Sequence, residues 1–452
     1  MPHLVLDTNI LLLDANNLLT LGKDNIIVLP ETVLDEIDSK KSGHSEIAYQ
    51  AREFGRNLTR ATITDTSISS DSTIIKMLLD EISIHIVSLS KYASITDVEP
   101  SIRNDRKILQ VAEYYSKQYN DVSFMTNDVM CRMRAVSYGI TSTDLRSVTS
   151  NEYEFTKTLD VTSEQFSKLH NLNISEIDSD YVPMNYNYLF NNTLTGQVKL
   201  GNIRNGLIDV LGTDTENELR RQDVTPMNSG QLFLSRAIQN PNIDIVVCEA
   251  LAGSGKTVSA FSNAIRLVKK GDYGGITYIR ASVDDVDKAE EIGFLSGNDE
   301  KMAVYLHPVH DSLDFIARNR YKDSKHKGKE YEEFIEKQIE EMEEKYNIQS
   351  MIGLGMRGRT FTNTIAIIDE AQNMSKISLQ KVLTRFGKNC KIILIGSNKQ
   401  IDNPYITKYT NGLSILLDAC TNDYDNIRLH AVPLNKVLRS NIAEFAENVF
   451  SK

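Results

Sequence analysis

The sequence of 452 residues has only four cysteines, Cys131, Cys248, Cys390 and Cys420, far apart and without CxxC spacing. That excludes a disulfide frame or a cysteine-based zinc site and suits reduced core thiols, so a cytoplasmic location is expected. Long hydrophobic runs are also missing. No apolar stretch approaches the roughly 18 residues that a membrane helix needs, and no membrane partner is expected. The opening Met1-Pro2-His3-Leu4 has no basic region, and Asp7 interrupts the first apolar stretch, which is not the pattern of a secretory signal. Positive charge is scarce as well. A net charge of −11 does not give the overall basic character of a protein that coats phosphate backbones, although a sum can hide a local basic groove. What remains is a composition of 41% hydrophobic and 25% charged residues, that of a soluble globular protein. Its length calls for roughly two or three domains.

Residues 1–145 alternate short apolar strands (Leu4–Leu6, Ile26–Leu29, Val122–Met125) with segments of helical spacing, Ile74–Leu79 and Lys107–Tyr115 among them. This rhythm predicts an α/β domain with a small parallel sheet. Residues 146–223 are rich in Tyr, Asn and Thr and alternate apolar with polar side chains near Gln197–Leu200, so they read as a linker or a small β-rich module. From 224 to 452 the strand–helix alternation returns. Ile243–Cys248, Gly275–Ile279, Ile365–Ile368 and Lys391–Ile395 are nearly continuous apolar runs, as expected of strands buried on both faces of a doubly wound parallel sheet.

The first of these runs leads into Glu249-Ala250-Leu251-Ala252-Gly253-Ser254-Gly255-Lys256-Thr257, and a helical pattern starts at Val258. Strand, glycine-rich loop and helix start form the context of a phosphate-binding P-loop. Backbone N–H groups of Gly253, Ser254 and Gly255 would face the phosphates, Lys256 would neutralise β/γ charge, and Thr257 would reach magnesium. An ordinary turn explains the glycines but not Gly-Lys-Thr at a helix start. The run Ile365–Ile368 ends in Asp369-Glu370-Ala371-Gln372. Beside a P-loop, Asp369 suits magnesium and Glu370 the attacking water; alone, the pair is equally a helix cap with an acidic first turn. Gln400, in Gly396-Ser397-Asn398-Lys399-Gln400, lies where a γ-phosphate sensor would sit. Gln231, in Pro226-Met227-Asn228-Ser229-Gly230-Gln231, offers an amide that can read adenine. Either is also an ordinary surface-loop residue.

Together these stretches resemble a PhoH-type ATPase over residues 224–452. The series also includes Gly293–Gly297 with Glu300-Lys301-Met302, Arg357-Gly358-Arg359-Thr360-Phe361, Leu383-Thr384-Arg385-Phe386-Gly387 and Gln400-Ile401-Asp402. Two positions depart from that pattern: Ala250 replaces a glycine, and Ser397 an aspartate.

At the N-terminal side, Asp7-Thr8-Asn9 follows the first strand, and Glu36 lies in the helix-like Val33–Asp38. Asp105 follows Asn104 at a helix start, and Asp128 follows Thr126-Asn127 after strand Val122–Met125. Each acid alone is ordinarily a cap or turn residue. Carboxylates brought to one sheet edge repel unless divalent cations neutralise them, and a magnesium or manganese pair so held can drive phosphodiester hydrolysis. The set resembles a PIN-domain ribonuclease over residues 3–142. By that resemblance Asp7, Glu36, Asp105 and Asp128 are metal ligands, with Asn9 and Thr126 in support. A PIN domain ahead of a PhoH-type ATPase implies single-stranded RNA as substrate, ATP-driven strand movement or unwinding, and a homo-oligomeric, hexameric ring. Arg385 or Arg439 would then act across the subunit interface on the neighbour's ATP.

Arg318, Arg320, Lys322, Lys325, Lys327 and Lys329 suit either an RNA channel or a solvated loop. The alternative function is an ATP-binding RNA switch or assembly factor with weak turnover and a non-cleaving PIN domain.

Overall fold

The structure, a computed structural model, describes all residues except 43–45, 93–99, 146–153, 180, 182–186, 205, 282–297, 353–358, 404–405, 423, 439–444 and 446–452. The chain divides into two compact units, Met1–Asn151 and Glu152–Lys452.

In the first unit, seven strands form one sheet. They are β1 (His3–Leu6), β2 (Ile26–Pro30), β3 (Thr62–Ile68), β4 (Ser72–Leu79), β5 (Ile82–Leu89), β6 (Val122–Met125) and β7 (Thr141–Thr143), in the order β3-β4-β5-β2-β1-β6-β7. The expected parallel sheet runs from β5 to β7. Beyond it, β4 pairs antiparallel with β5, and β3 antiparallel with β4. The segment Ile74–Leu79, read from its spacing as helical, is therefore strand. Its isoleucines favour an extended chain. The turn that returns it to β5 places Asp80 at φ 55, a left-handed conformation that aspartate tolerates better than most residues. Lys107–Tyr115 lies in a helix as expected, within Pro100–Gln118. The helices are α1 (Thr8–Leu13), α2 (Asn17–Gly22), α3 (Glu31–Ser39), α4 (Glu46–Thr59), α5 (Pro100–Gln118) and α6 (Val129–Ser137). Their apolar faces bury Ile10, Leu11, Val33, Val111 and Tyr115 against Val5, Leu6, Val28 and Phe124.

The second unit opens with a four-stranded sheet, β11-β10-β9-β8, made of β8 (Thr156–Val161), β9 (Asn187–Asn192), β10 (Val198–Arg204) and β11 (Leu207–Val210). With helix α7 (Ser163–Lys168) it encloses a small core around Phe166, Tyr188 and Phe190. Asn187, fully buried, ties this module to the next sheet. Its Nδ2 donates to the carbonyls of Phe155 at 2.8 Å and Ala431 at 2.9 Å.

That next sheet has six strands, all in parallel pairs: β12 (Ile245–Ala250), β13 (Ile276–Arg280), β14 (Ile348–Ile352), β15 (Thr364–Asp369), β16 (Cys390–Gly396) and β17 (Leu429–Leu434), in the order β14-β13-β15-β16-β12-β17. The four apolar runs of the sequence are its interior strands. The two edges, β14 and β17, escaped the reading because Gln349, Ser350, His430 and Pro433 interrupt their apolar pattern, and an edge tolerates such residues. Alternate side chains feed two cores. Val246, Cys248, Tyr278, Ile367 and Ile395 pack beneath α9 (Ser229–Gln239), α10 (Lys256–Lys270), α11 (Asn298–Arg320) and α12 (Lys329–Lys345), which follow α8 (Thr213–Arg220). Val247, Ile279, Ile368 and Leu394 pack beneath α13 (Lys376–Leu383) and α14 (Gly412–Ala419). Helices on both faces make this sheet doubly wound, with the carboxyl ends of β12, β15 and β16 converging on one edge.

Candidate functional sites

In the first unit, Asp7 follows β1 directly and caps α1. Its carboxylate accepts from Thr8 N–H at 2.7 Å, from Asn9 Nδ2 at 2.7 Å and from Thr126 Oγ1 at 2.6 Å. Thr126 Oγ1 also accepts from Asp128 N–H at 3.0 Å. The ends of the adjacent strands β1 and β6 are thus locked together. Burial raises the Asp7 carboxyl from 3.8 to about 6; the Thr126 and Thr8 bonds oppose this, while Asp105 and Glu36 add to it. Glu36, on α3, accepts from Thr8 Oγ1 and from Asn104 Nδ2, the latter at 2.7 Å. Asp105, on α5, accepts from Arg134 Nη1 at 2.8 Å. Its carboxyl is raised by burial, against the pull of Arg134, with Asp128 and Glu36 contributing. Asp128 is exposed and caps α6, accepting from the N–H groups of Met130 and Cys131.

Asp105 therefore lies within electrostatic reach of Asp7, Glu36 and Asp128 at one edge of the sheet. Among the described residues, however, no three carboxylate, imidazole or thiol groups converge closely enough to share an ion. Magnesium is usually held through one or two carboxylates and keeps several waters. The donor set fits that mode: buried Asp7 and half-buried Glu36 are both oriented by neutral hydroxyls and amides, and Asp7 suffers a like-charge penalty that a cation relieves. The sequence reading passed over Thr8, Asn104 and Arg134 as part of this constellation. Thr8 and Asn104 each adjoin a candidate acid. Arg134 has no local signal, because its partner is 29 positions away.

In the second unit, β12 leads into a loop in which Gly253 and Gly255 have φ of 70° and 78°. A Cβ at Gly255 would in addition stand 3.0 Å from Gln231 Nε2. Ala250, by contrast, is the buried last residue of β12, where a Cβ is accommodated in extended backbone. The Leu434 carbonyl accepts from Leu251 N–H at 3.1 Å, and the Gly253 carbonyl accepts from Leu438 N–H at 2.9 Å. Ser254 is almost completely buried, yet its Oγ has no hydrogen-bond partner. A polar atom left so in a loop of this shape fits an anionic ligand.

Lys256 and Thr257 start α10. Thr257 Oγ1 donates to Asp369 Oδ2 at 3.1 Å, across the intervening strand β16, and Lys256 Nζ lies 3.7 Å from Glu370 Oε1. Tyr278, buried on β13, also donates to Asp369 Oδ2, at 3.0 Å. Burial and the neighbouring Glu370 raise the Asp369 carboxyl, while Lys256 draws it down. Glu370 has φ 56, uncommon for a residue with a side chain. Gln372, fully buried, donates to Glu370 Oε2 at 2.6 Å and to the Gln400 carbonyl at 2.8 Å, and accepts from Ser397 N–H at 3.0 Å. It thereby joins the acidic strand end to the loop after β16, where Gln400 is exposed.

Both ends of the Gln231 amide are engaged within the chain: Oε1 accepts from Met227 N–H at 2.8 Å and Nε2 donates to the Ser254 carbonyl at 3.0 Å. Arg385 lies between α13 and β16, where its carbonyl accepts from Phe361 N–H. That is the amino-terminal edge of the sheet, opposite the P-loop. Arg439 lies outside the described residues, as do Gly293–Gly297 and residues 357–358. Two of the basic residues offered for an RNA channel have partners of their own. Arg318 binds Asp314 and Glu332, and Arg320 binds Asp223. Lys322, Lys325, Lys327 and Lys329 are exposed.

No helix among the described residues is long and apolar enough to cross a membrane. The profile of the PhoH-like protein family matches residues 223–451, just over half of the chain, and a PIN domain profile matches residues 4–146. Protein PhoH2 of Bacillus subtilis (strain 168) is 26% identical over 441 residues, covering 92% of each chain. Protein PhoH2 of Thermobispora bispora is 23% identical over 426 residues, covering 91% of this chain and 89% of its own. A PhoH-like protein of Synechocystis sp. is 33% identical over 174 residues, covering 38% of this chain and 46% of its own. The chain belongs to the PhoH-like protein family and carries a PIN domain ahead of its P-loop NTPase domain.

Proposed function

We propose that this protein is an RNA-processing hydrolase in which ATP turnover in the second unit moves or unwinds RNA and the PIN domain cleaves it. The observation that carries the reading is the bond from Thr257 to Asp369, which joins the phosphate loop to the acidic strand end. Gly253, Ser254 and Gly255 hold the phosphates, and Lys256 moves from Glu370 to the β/γ oxygens. Thr257 and Asp369 would hold the nucleotide's magnesium, which would neutralise phosphate charge there. Glu370, fixed by Gln372, orients the attacking water, and the loop bearing Gln400 follows its position through the same amide.

In the PIN domain, Asp7, Glu36, Asp105 and Asp128 are the candidate ligands for magnesium or manganese. Such an ion, when bound, supplies charge neutralisation and a more acidic water at the scissile phosphate. Thr126, Asn9 and the Thr8 N–H hold Asp7 rigid, Asn104 turns Glu36 toward the site, and Arg134 restrains Asp105. The reading includes a homo-oligomeric ring with Arg385 or Arg439 acting across interfaces, since Arg385 is remote from its own chain's P-loop.

Labelled single-stranded RNA incubated with the full chain, with and without ATP and manganese, tests both halves. Manganese-dependent cleavage that Asp7→Asn abolishes, together with ATP hydrolysis that RNA stimulates, is expected. ATP binding with negligible turnover and no cleavage would instead identify a nucleotide-dependent RNA switch.

A further inference from the structure

A cavity of about 840 Å³ opens beside the P-loop. It is within the volume range of whole-ligand sites. Gly253, Gly255, Lys256 and Thr257 form one end, which serves the phosphates only. The rest must meet the remainder of the ligand. Helix α11 supplies one wall through a stripe at helical spacing, Pro308, Asp311, Ser312, Phe315 and Asn319, and Lys322 follows just beyond its end. The opposite face of the helix, with Val309, Leu313, Ile316 and Ala317, is buried in the core. Phe315 is thus not a core residue. It stands 49% exposed on a polar stripe facing the cavity, and Met227, 73% exposed, lines the same cavity from the loop before α9. Met227 N–H donates to Gln231 Oε1, and Gln231 Nε2 in turn donates to the P-loop carbonyl of Ser254. One amide therefore sets Met227 at a fixed place relative to the phosphate loop.

Two large exposed apolar side chains, a ring and a flexible thioether, in one cavity continuous with a phosphate site suit a flat aromatic group. We propose that Phe315 and Met227 hold the nucleobase of the bound triphosphate by stacking and that the site therefore prefers purine over pyrimidine nucleotides. The proposal rests on the P-loop reading above and deepens it. A stacking pair responds to ring area, and a purine covers more of the ring than a pyrimidine does.

The test measures equilibrium binding of ATP, CTP and inorganic tripolyphosphate to the full chain, in magnesium, for wild type, Phe315→Ala, Phe315→Leu, Phe315→Trp and Met227→Ala. Wild type should bind ATP more tightly than CTP, and CTP more tightly than tripolyphosphate. Phe315→Ala and Phe315→Leu should weaken ATP by about 5- to 150-fold, the range for a base stacked on an aromatic ring. They should leave tripolyphosphate unchanged and compress the ATP/CTP ratio. Phe315→Trp should restore ATP affinity, and Met227→Ala should cost less than Phe315→Ala. Wild-type ATP affinity in Phe315→Ala overturns the proposal. So does equal weakening of ATP and tripolyphosphate, which would mean that Phe315 acts only through the loop. Lys256→Ala is the control: if wild type binds none of the three ligands in a manner that Lys256→Ala removes, the P-loop reading itself fails and the proposal falls with it.

Discussion

Replacing Asp7 by asparagine should stabilise the N-terminal unit in the absence of divalent ions, and the gain should depend on pH in a defined way. Asp7 is 6% exposed, and its carboxyl is lifted from 3.8 to about 6, by burial first. That difference corresponds to about 3 kcal/mol between its ionised and protonated forms. Because the folded state holds the proton more tightly, stability is greatest below pH 3.8 and falls as the pH rises through about 6. Above that window the full penalty persists. Asparagine cannot ionise. Its Oδ1 can keep the bonds from Asn9 and Thr126, but its Nδ2 then faces Thr8 N–H and loses that cap, at a cost of about 1 kcal/mol. The net gain is therefore about 2 kcal/mol at pH 7.5 and about zero at pH 4.

Hydrogen exchange of the β1–α1 segment in the full chain, in chelator, reads this locally without requiring two-state unfolding of a two-unit protein. About 2 kcal/mol is a protection increase of about 30-fold at pH 7.5. Added magnesium should reverse the order, since wild type gains a ligand that the variant holds poorly. Equal protection at pH 7.5, or a difference of the same size at pH 4, would refute the account of Asp7 as a penalised buried carboxylate.

Other outcomes follow from the second unit. Lys256→Ala should abolish ATP hydrolysis and leave manganese-dependent RNA cleavage measurable; full hydrolysis in that variant would sink the P-loop assignment. Gly396→Ala would place a Cβ 2.5 Å from Gln372 Oε1 and 3.2 Å from Gln372 N, so it should cost about 1–3 kcal/mol, as overpacking does. ATP turnover should drop as Glu370 loses its brace, and an unchanged kcat would show that Gln372 does not position it. Mixing Lys256→Ala subunits with Arg439→Ala or Arg385→Ala subunits should restore part of the ATPase activity if one of these arginines acts in trans. An arginine of this kind is worth about 10³–10⁵ in rate in GTPases. No recovery in verified mixed rings would remove that role.

What the sequence made legible was whatever a few adjacent residues determine by themselves. Gly253, Ser254, Gly255, Lys256 and Thr257 are contiguous because the backbone shape of a phosphate loop is a local object, and the four interior strands are apolar on both faces. Asp7 and Asp128 could be placed because each closes a strand and opens a helix. The hidden residues answer to partners that only topology supplies. Arg134 meets Asp105, Tyr278 meets Asp369, and Gln372 meets the loop after β16, and nothing near any of them in sequence announces the contact. The same cause left Arg318 and Arg320 open between an RNA channel and a solvated loop. A run of positive charge is visible in sequence, but Glu332 and Asp223, which neutralise part of it, arrive from other segments. Ile74–Leu79 erred differently, since a short apolar run fits a helix and a strand alike, and the Asp80 turn to β5 decided between them. The acidic edge combines both cases: its carboxylates were visible one by one, and Asn9 and Thr126 with them, whereas Thr8, Asn104 and Arg134, which also hold these acids, were not. A metal site is therefore better judged from what surrounds its acids than from the acids alone, because burial, with neighbouring carboxylates adding to it, raises Asp7 and Asp105 before any ion binds.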